Sequence, residues 1–292
     1  MSEKILLTGG RGMLGRTICR VLGSDFELIP TDLPEVDITS EKSLAAALER
    51  YRPDAVIHCA AMTAVDLCES EREKAFLLNE KGSANVAEVC KRYSCRLLAI
   101  STDYVFRGDK SGAYSEYDFA DGGNTVYGQS KFAGENAVLQ IYPENSLICR
   151  ISWLYGFGGP SFVHTMLQLA DGSRPVLKVV SDQCGNPTSA VAVARKLGEL
   201  LKHPELTGII HLTCENDASW YDFAVEIFRQ AGVKQEVIPC RTDEFPRPAP
   251  RPANSRLEKR RLAENGLSPM PDWRDALHEF LTLESGIRER KK

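Results

Sequence analysis

The sequence contains no C-x-x-C pair, no H-E-x-x-H and no apolar run long enough to cross a bilayer. Its nine cysteines are an odd number scattered through expected strands and helices. That argues against a disulfide framework and for reduced thiols in a cytoplasm. The five histidines lie far apart, so no zinc site is expected and most of them read as structural. Internal repeats and low-complexity segments are also lacking. The first strand is expected near Lys4, which leaves no room for a signal peptide ahead of it.

A dominant charge of one sign is missing too. Lys plus Arg is 36 and Asp plus Glu is 40, a formal net charge of −4 with no strong basic block. Such a chain is a poor candidate for nucleic-acid binding through phosphates. The basic end from Arg288 to Lys292 is expected to be a solvated, frayed terminus. What remains is 292 residues, 43% of them hydrophobic. That suits one α/β domain with a smaller second lobe.

Apolar runs and helical periodicity alternate from the start. The pattern predicts strands at 4–7, 26–30, 55–58, 96–100 and 147–151, and helices at 13–22, 43–51, 75–93 and 126–140. Continuously apolar strands separated by helices indicate a parallel sheet covered on both faces. Right-handed crossovers then give a doubly wound α/β sheet of Rossmann type over 1–152, with its ligand crevice at the strand C-termini. Residues 153–292 are expected to form mainly a smaller C-terminal α/β lobe that binds substrate, with some segments returning to the sheet. Helices are predicted there at 161–169, 190–202, 219–230 and 273–283, and strands at 176–180 and 208–212. Ser219 and Asp222 suit a capping box, and the four prolines of 244–252 make that stretch an extended loop.

The first helix is preceded by Gly9, Gly10, Gly12 and Gly15, four glycines in seven positions. Gly10 to Gly15 fits G-x-G-x-x-G, and Thr8 to Gly15 fits T-G-x-x-G-x-x-G. A glycine turn between a strand and a helix lets the backbone approach a pyrophosphate, which the free N–H groups and the helix dipole then hold. Such turns also cap ordinary helices, but the strand–turn–helix context favours a dinucleotide. Asp32 follows the second strand, where a carboxylate meets the adenosine ribose hydroxyls of NAD. Arg11, inside the turn, could instead pair with the 2′-phosphate of NADP, so the sequence leaves NADH and NADPH both open.

Of nine tyrosines only Tyr127 has a lysine, Lys131, four residues later. On a helix those two share a face. A phenol has a pKa of about 10 and is a feeble acid at neutral pH. A neighbouring ammonium, with the positive nicotinamide ring, is expected to lower that pKa. The tyrosine could then protonate a carbonyl oxygen as hydride reaches its carbon. Upstream, Ile100-Ser101-Thr102-Asp103-Tyr104 is a strand ending in hydroxyl residues, expected to supply a second hydrogen bond to that oxygen. The order of glycine turn, hydroxyl strand end and Tyr-Lys helix is that of extended short-chain dehydrogenases. On that reading Gly9, Gly12 and Gly15 are the working set and Gly10 is a variable position.

The chain resembles the dTDP-4-dehydrorhamnose reductases almost end to end. The resemblance is carried by Val36-Asp37-Ile38-Thr39, by Ala60 to Asp66, by Ser101 to Phe106 and by Tyr127-Gly128-x-x-Lys131-x-x-Gly134-Glu135. It continues through Arg150-x-x-Trp153-x-Tyr155-Gly156, Asp182-Gln183-x-Gly185-x-Pro187-Thr188, Ser219-Trp220-Tyr221-x-Phe223-Ala224 and Ala249-x-Arg251-Pro252-x-x-Ser255-x-Leu257. It implies reduction of the C4 ketone of dTDP-4-dehydro-6-deoxy-L-mannose to dTDP-L-rhamnose, with NADPH or NADH as donor. It also implies that Thr102 bonds the ketone, that Tyr127 is the general acid and that Lys131 lowers its pKa and holds the nicotinamide ribose. Met13, Leu14, Asp37, Ile38, Ala60, Ala61 and Thr63 would line the cofactor. Val65, Asp103, Tyr104 and Trp153 would face the sugar nucleotide, and Arg251 would meet its diphosphate. Some members are described as Mg2+-bridged dimers, so a homodimer is compatible, but no compact carboxylate cluster here names metal ligands.

The chain departs from the family at three points. Met13 stands where Gln is common, Arg107 where Asp is common, and Gly122-Gly123-Asn124 where a Pro precedes the tyrosine. The glycine pair is expected to loosen the loop before Tyr127, and Arg107 to change the charge near the site. Three other functions share parts of this pattern. A dehydratase needs an acid after Thr102-Asp103, where Tyr104 stands. An epimerase could use the same Tyr and Lys on another nucleotide sugar. A non-catalytic NADP-binding regulator resembling the methionine adenosyltransferase β subunit shares the fold but has no need of the Thr, Tyr and Lys.

Overall fold

The computed structural model describes residues 2–289; of the basic C-terminal end, 290–292 lie outside the described residues. Six parallel strands form the central sheet: β1 (Lys4–Thr8), β2 (Glu27–Thr31), β3 (Ala55–His58), β4 (Arg96–Thr102), β5 (Ser146–Ile151) and a sixth, Gly208–His211. They lie in the order Gly208–His211, β5, β4, β3, β1, β2. Successive side chains of a strand point to opposite faces. Ile5, Leu7, Ile57, Leu98 and Cys149 accordingly belong to one core, and Leu6, Val56, Leu97, Ala99 and Ile148 to the other. Strands buried on both sides must be apolar at consecutive positions, and these are.

On the first face α1 (Met13–Leu22) contributes Leu14, Ile18 and Leu22 beside the helix Ala190–Leu201. The same core runs on without a break to Phe223, Trp273 and Phe280 of the C-terminal half. On the second face α2 (Glu41–Tyr51), Gly82–Arg92 and Val126–Ile141 cover the sheet through Leu44, Leu48, Val86, Val89 and Val138. After β1 the chain crosses to β2 at the edge and returns to β3 on the other side. The crevice of this doubly wound sheet therefore opens between the C-terminal ends of β1 and β3.

Several elements differ from the sequence pattern. The helix expected over 75–93 runs as Arg72–Phe76, a π-helical turn Leu77–Lys81, and Gly82–Arg92. Periodicity does not register the single inserted residue of such a turn. The strand Glu236–Cys240, paired in parallel with Val176–Val180, was not foreseen because its residues are mostly exposed and it contains Pro239. The short helices Val65–Ser70 and Arg260–Glu264 were also missed, and the last helix continues to Glu289. The capping box is present: Ser219 Oγ accepts the Asp222 N–H at 3.1 Å, and Asp222 Oδ2 accepts the Ser219 N–H at 3.0 Å.

The helix Val126–Ile141 is tied to β5 by a fully buried ion pair. Arg150 Nε donates to Glu135 Oε1 at 2.9 Å and Nη2 to Oε2 at 2.6 Å, with the guanidinium over the Phe106 ring. Removing one partner strands a buried charge. Arg150→Met is expected to cost about 3–5 kcal/mol of stability. The double variant Arg150→Met/Glu135→Leu should recover much of that loss, as read from urea-unfolding midpoints.

Candidate active site

The glycine turn is a cradle with no spare room. Gly9 sits at φ +68°, and a Cβ there would lie 2.7 Å from the Ala60 backbone nitrogen. A Cβ on Gly15 would lie 2.4 Å from the Gly9 carbonyl oxygen. Gly10, read as variable, is required as well, because its Cβ would fall 2.7 Å from Pro30 Cβ. The turn closes through the Gly12 N–H to Gly9 O and the Gly10 N–H to Thr31 O, each 3.0 Å. Gly12 is the N-cap of α1 and offers no side-chain cap, so nothing of its own covers the first-turn N–H groups. Those groups suit an anionic diphosphate.

Gly9, Gly12, Met13, Leu14 and Gly15 line a cavity of about 580 Å³. Asp32, Asp37, Ile38, Ala60, Ala61, Thr63 and Val65 line it too, as do Thr102, Asp103, Tyr104, Tyr127, Lys131 and Trp153. One cavity thus gathers nearly all the residues singled out in the sequence. Arg11 is not in its wall: the side chain folds over the turn after β2, donating to Leu33 O at 3.0 Å and to Glu35 Oε1 at 2.6 Å. Asp37 uses its carboxylate internally, accepting the Thr39 N–H and hydroxyl at 2.9 and 2.7 Å.

At the inner end, Lys131 Nζ donates to Ile100 O at 2.7 Å. Thr102 Oγ1 accepts the Tyr104 N–H at 3.3 Å and donates to Asp103 Oδ1 at 3.0 Å. The Tyr127 ring meets Tyr104 edge-on, with centroids 5.5 Å apart. The helix comes this close because Gly128 has no side chain: a Cβ there would lie 2.2 Å from Tyr104 O. Burial pushes the Tyr127 phenol up, its hydrogen bond with Thr102 pulls it down, and Asp103 adds to the rise. The expected lowering of Tyr127 by Lys131 is therefore not a property of the chain alone; the ammonium is held on the Ile100 carbonyl. Burial brings Lys131 itself down to about 8, against Glu135 and Cys59. Burial also lifts Asp103 to about 6, opposed by hydrogen bonds with Ser255 and Thr102.

A second cavity of about 750 Å³ adjoins the first, and Tyr104 and Trp153 line both. Trp153 holds φ +46° and stacks on Trp220 at 3.5 Å with an interplanar angle of 6°. Gly185 makes room for it, since a Cβ there would lie 2.5 Å from the indole. Lys178, Arg247 and Arg251 bring positive charge to this wall. Arg251 is the predicted residue placed here, outside the first cavity, and it donates to Asp66 Oδ2 at 2.9 Å. Burial would raise the Asp66 carboxyl, but bonds from Arg251 and the Ala249 N–H outweigh it and hold the group below its usual range.

Sequence reasoning attached no role to Gln183 or Trp220, although both lie in segments that carry the resemblance. Here Trp220 Nε1 donates to Gln183 Oε1 at 3.1 Å and both line the second cavity. Asn79, in the π turn, was also missed. Its Oδ1 accepts the Met62 N–H at 2.8 Å, while its Nδ2 donates to Met62 O at 3.1 Å and to Ser130 Oγ at 2.9 Å. It thereby joins the loop after β3 to the Tyr-Lys helix. The Gly122-Gly123 pair is required by the shape of its loop. Both residues have positive φ, and a Cβ on Gly123 would lie 2.4 Å from Tyr104 O. Arg107 is paired with Asp121, which offsets its charge.

Among the described residues no group of three His, Cys, Asp or Glu side chains could hold a metal ion, and no helix is long and apolar enough to cross a membrane.

The fold and its cavity place the protein in the class of Rossmann-type reductases. It belongs to the RmlD substrate binding domain family, whose model matches residues 3–285. It is 39% identical over 283 residues to the spore coat polysaccharide biosynthesis protein SpsK of Bacillus subtilis, covering 97% of this chain and 98% of that protein. A solved dTDP-4-dehydrorhamnose reductase from Clostridium acetobutylicum is 41% identical with a TM-score of 0.92, covering 97% of this chain and 99% of that one. The Bacillus anthracis enzyme of that name, in complex with NADP, is 36% identical with a TM-score of 0.92 over the same shares.

Gly15→Ala places a methyl group against backbone and is expected to weaken dinucleotide binding by at least about tenfold, as measured by calorimetric titration.

Proposed function

We propose that the protein reduces the C4 ketone of dTDP-4-dehydro-6-deoxy-L-mannose, giving dTDP-L-rhamnose for polysaccharide biosynthesis, with NADPH or NADH as donor. One juxtaposition supports this best. Thr102, Tyr127 and Lys131 stand at the inner end of the glycine-lined cavity, where Tyr104 and Trp153 open onto a second cavity that carries cations. We assign 1–152 to dinucleotide binding and most of 153–292 to the sugar nucleotide, with 190–201 and 208–211 returning to the sheet. All the groups invoked come from one chain, so a homodimer, which light scattering would read, would need none from a partner. A cytoplasmic location suits the unpaired cysteines.

NAD(P)H, when bound, supplies hydride to the ketone carbon. Gly9, Gly12 and the first turn of α1 would hold its diphosphate, and Lys131 the nicotinamide ribose. Tyr127 keeps its proton at rest, because burial disfavours phenolate. A resting phenol is the form that reduction requires. As hydride reaches C4, negative charge grows on the ketone oxygen and the Tyr127 proton moves to it, leaving alcohol and phenolate. The Lys131 ammonium stabilises that phenolate, and Thr102 Oγ1 keeps the ketone oxygen in line with the phenol. Lys178, Arg247 and Arg251 would take the diphosphate of the sugar nucleotide, with Trp220 a flat apolar surface for its base.

The purified protein is expected to oxidise NADPH or NADH only when the 4-ketosugar is present. No turnover with either cofactor overturns the proposal, and conversion of the sugar without net cofactor oxidation marks an epimerase. Tyr127→Phe should lower kcat by about 10²–10⁴-fold while dinucleotide affinity is retained. Lys131 is charged below its pKa of about 8 and neutral above it. Turnover should therefore hold between pH 6 and 7.5 and fall as pH rises through about 8, in rates measured from pH 6 to 10.

A further inference from the structure

We infer that Asp66 is a positioning residue: it holds Arg251, and the proline-rich segment that carries it, in place for the diphosphate of the sugar nucleotide. The inference rests on the reading of the second cavity given above and adds to it a residue outside the ligand's reach. Asp66 belongs to the helix Val65–Ser70 and lies outside the walls of both cavities. Its two oxygens reach residues 183 and 185 positions further along the chain. Oδ1 accepts the Ala249 N–H at 3.1 Å, and Oδ2 accepts Arg251 Nη2 at 2.9 Å.

The segment needs such an anchor. Pro246, Pro248, Pro250 and Pro252 have no N–H, so the backbone they punctuate cannot join a sheet ladder. Yet Phe245, Arg247, Ala249 and Arg251 of this segment form one wall of the second cavity. The helix they are tied to is itself firmly seated. Its Cys68 packs in a small core with Met62, Ala75 and Val126, and Glu69 Oε1 accepts the Val126 N–H at 2.9 Å. Arg251 also donates from Nη1 to Ala249 O at 2.8 Å, so Asp66 fixes both the guanidinium and the peptide it leans on. The remaining guanidinium N–H groups are those that phosphate oxygens would take. Holding a long side chain ready removes its ordering cost from binding. The Asp66 carboxylate also repels a diphosphate, an effect of opposite sign. The pair is partly exposed, Arg251 at 23% and Asp66 at 35%, so that repulsion is screened and positioning dominates.

The test is calorimetric titration of the full chain with dTDP, which needs no ketosugar, accompanied by titrations with NADPH and NADH. Asp66→Asn retains a carbonyl oxygen for the Ala249 N–H and loses the ion pair. It is expected to weaken dTDP binding by about three- to tenfold, the cost of ordering one long side chain, and to leave dinucleotide affinity unchanged. With the ketosugar, KM should rise by the same factor while kcat holds. Arg251→Ala should weaken dTDP at least as much, and in that background Asp66→Asn should add no further loss. Tighter dTDP binding by Asp66→Asn marks a carboxylate that only neutralises Arg251, and overturns the inference. Unchanged dTDP binding overturns it too, as does a loss that persists in the Arg251→Ala background or is shared by the dinucleotides. Failure of the wild type to bind dTDP overturns the reading of the second cavity, and this inference with it.

Discussion

Two glycines of one helix set the geometry on which the site depends. Val126–Ile141 lies against the end of β4 at Gly128 and against the π turn at Gly134. Added Cβ atoms there would come within 2.2 Å of Tyr104 O and of Asn79 O. Closeness at both points brings Tyr127 beside Thr102 and lets Lys131 reach the Ile100 carbonyl. The π turn contributes because its widened loop pushes Asn79 toward the helix, where its side chain also grips Met62. A single helix thus positions Tyr127 and Lys131, and the loop after β3 is held in register with them.

Burial acts on the three ionisable groups of the site in opposite senses. It raises Tyr127 and Asp103 and lowers Lys131. Each shift follows from one cause, the cost of charge in a low-dielectric pocket. The buried Glu135 resists that cost for Lys131 while it is itself held by Arg150, so the pair that braces the helix also favours the Lys131 ammonium. His58 extends the pattern. Burial and the Lys131 charge lower it to about 3, so it stays neutral. As a neutral ring it shares hydrogen bonds with the Thr8 hydroxyl at 2.7 Å and the Ser83 hydroxyl at 3.1 Å, linking β1, β3 and the helix Gly82–Arg92.

Much of this was legible in the residues. The central strands and the helices on them follow apolar periodicity, and the glycine turn, Thr102, Tyr127 and Lys131 follow motif spacing. What escaped has physical reasons. The π turn is invisible to a 3.6-residue period. Glu236–Cys240 is a strand through pairing rather than through an apolar face. Gly10, Gly122 and Gly123 read as spare or loose, because a sequence does not say which backbone lies 2.4–2.7 Å from an absent Cβ. Arg11 is left open between a 2′-phosphate partner and a solvated side chain by the sequence, because its bond to Glu35, 24 residues on, is not written in local spacing. The second cavity draws its wall from segments spread between Tyr104 and Ser255, and nothing in local spacing assembles them.

The stacked indoles at the junction of the two cavities also make the protein its own optical probe. Of its three tryptophans, Trp273 is fully buried in the core, while Trp153 and Trp220 lie face to face in the wall of the second cavity. Rings that close couple as excited states, so an aromatic ligand laid against them would alter emission from that pair. Intrinsic fluorescence is therefore a label-free readout of a ligand entering the second cavity.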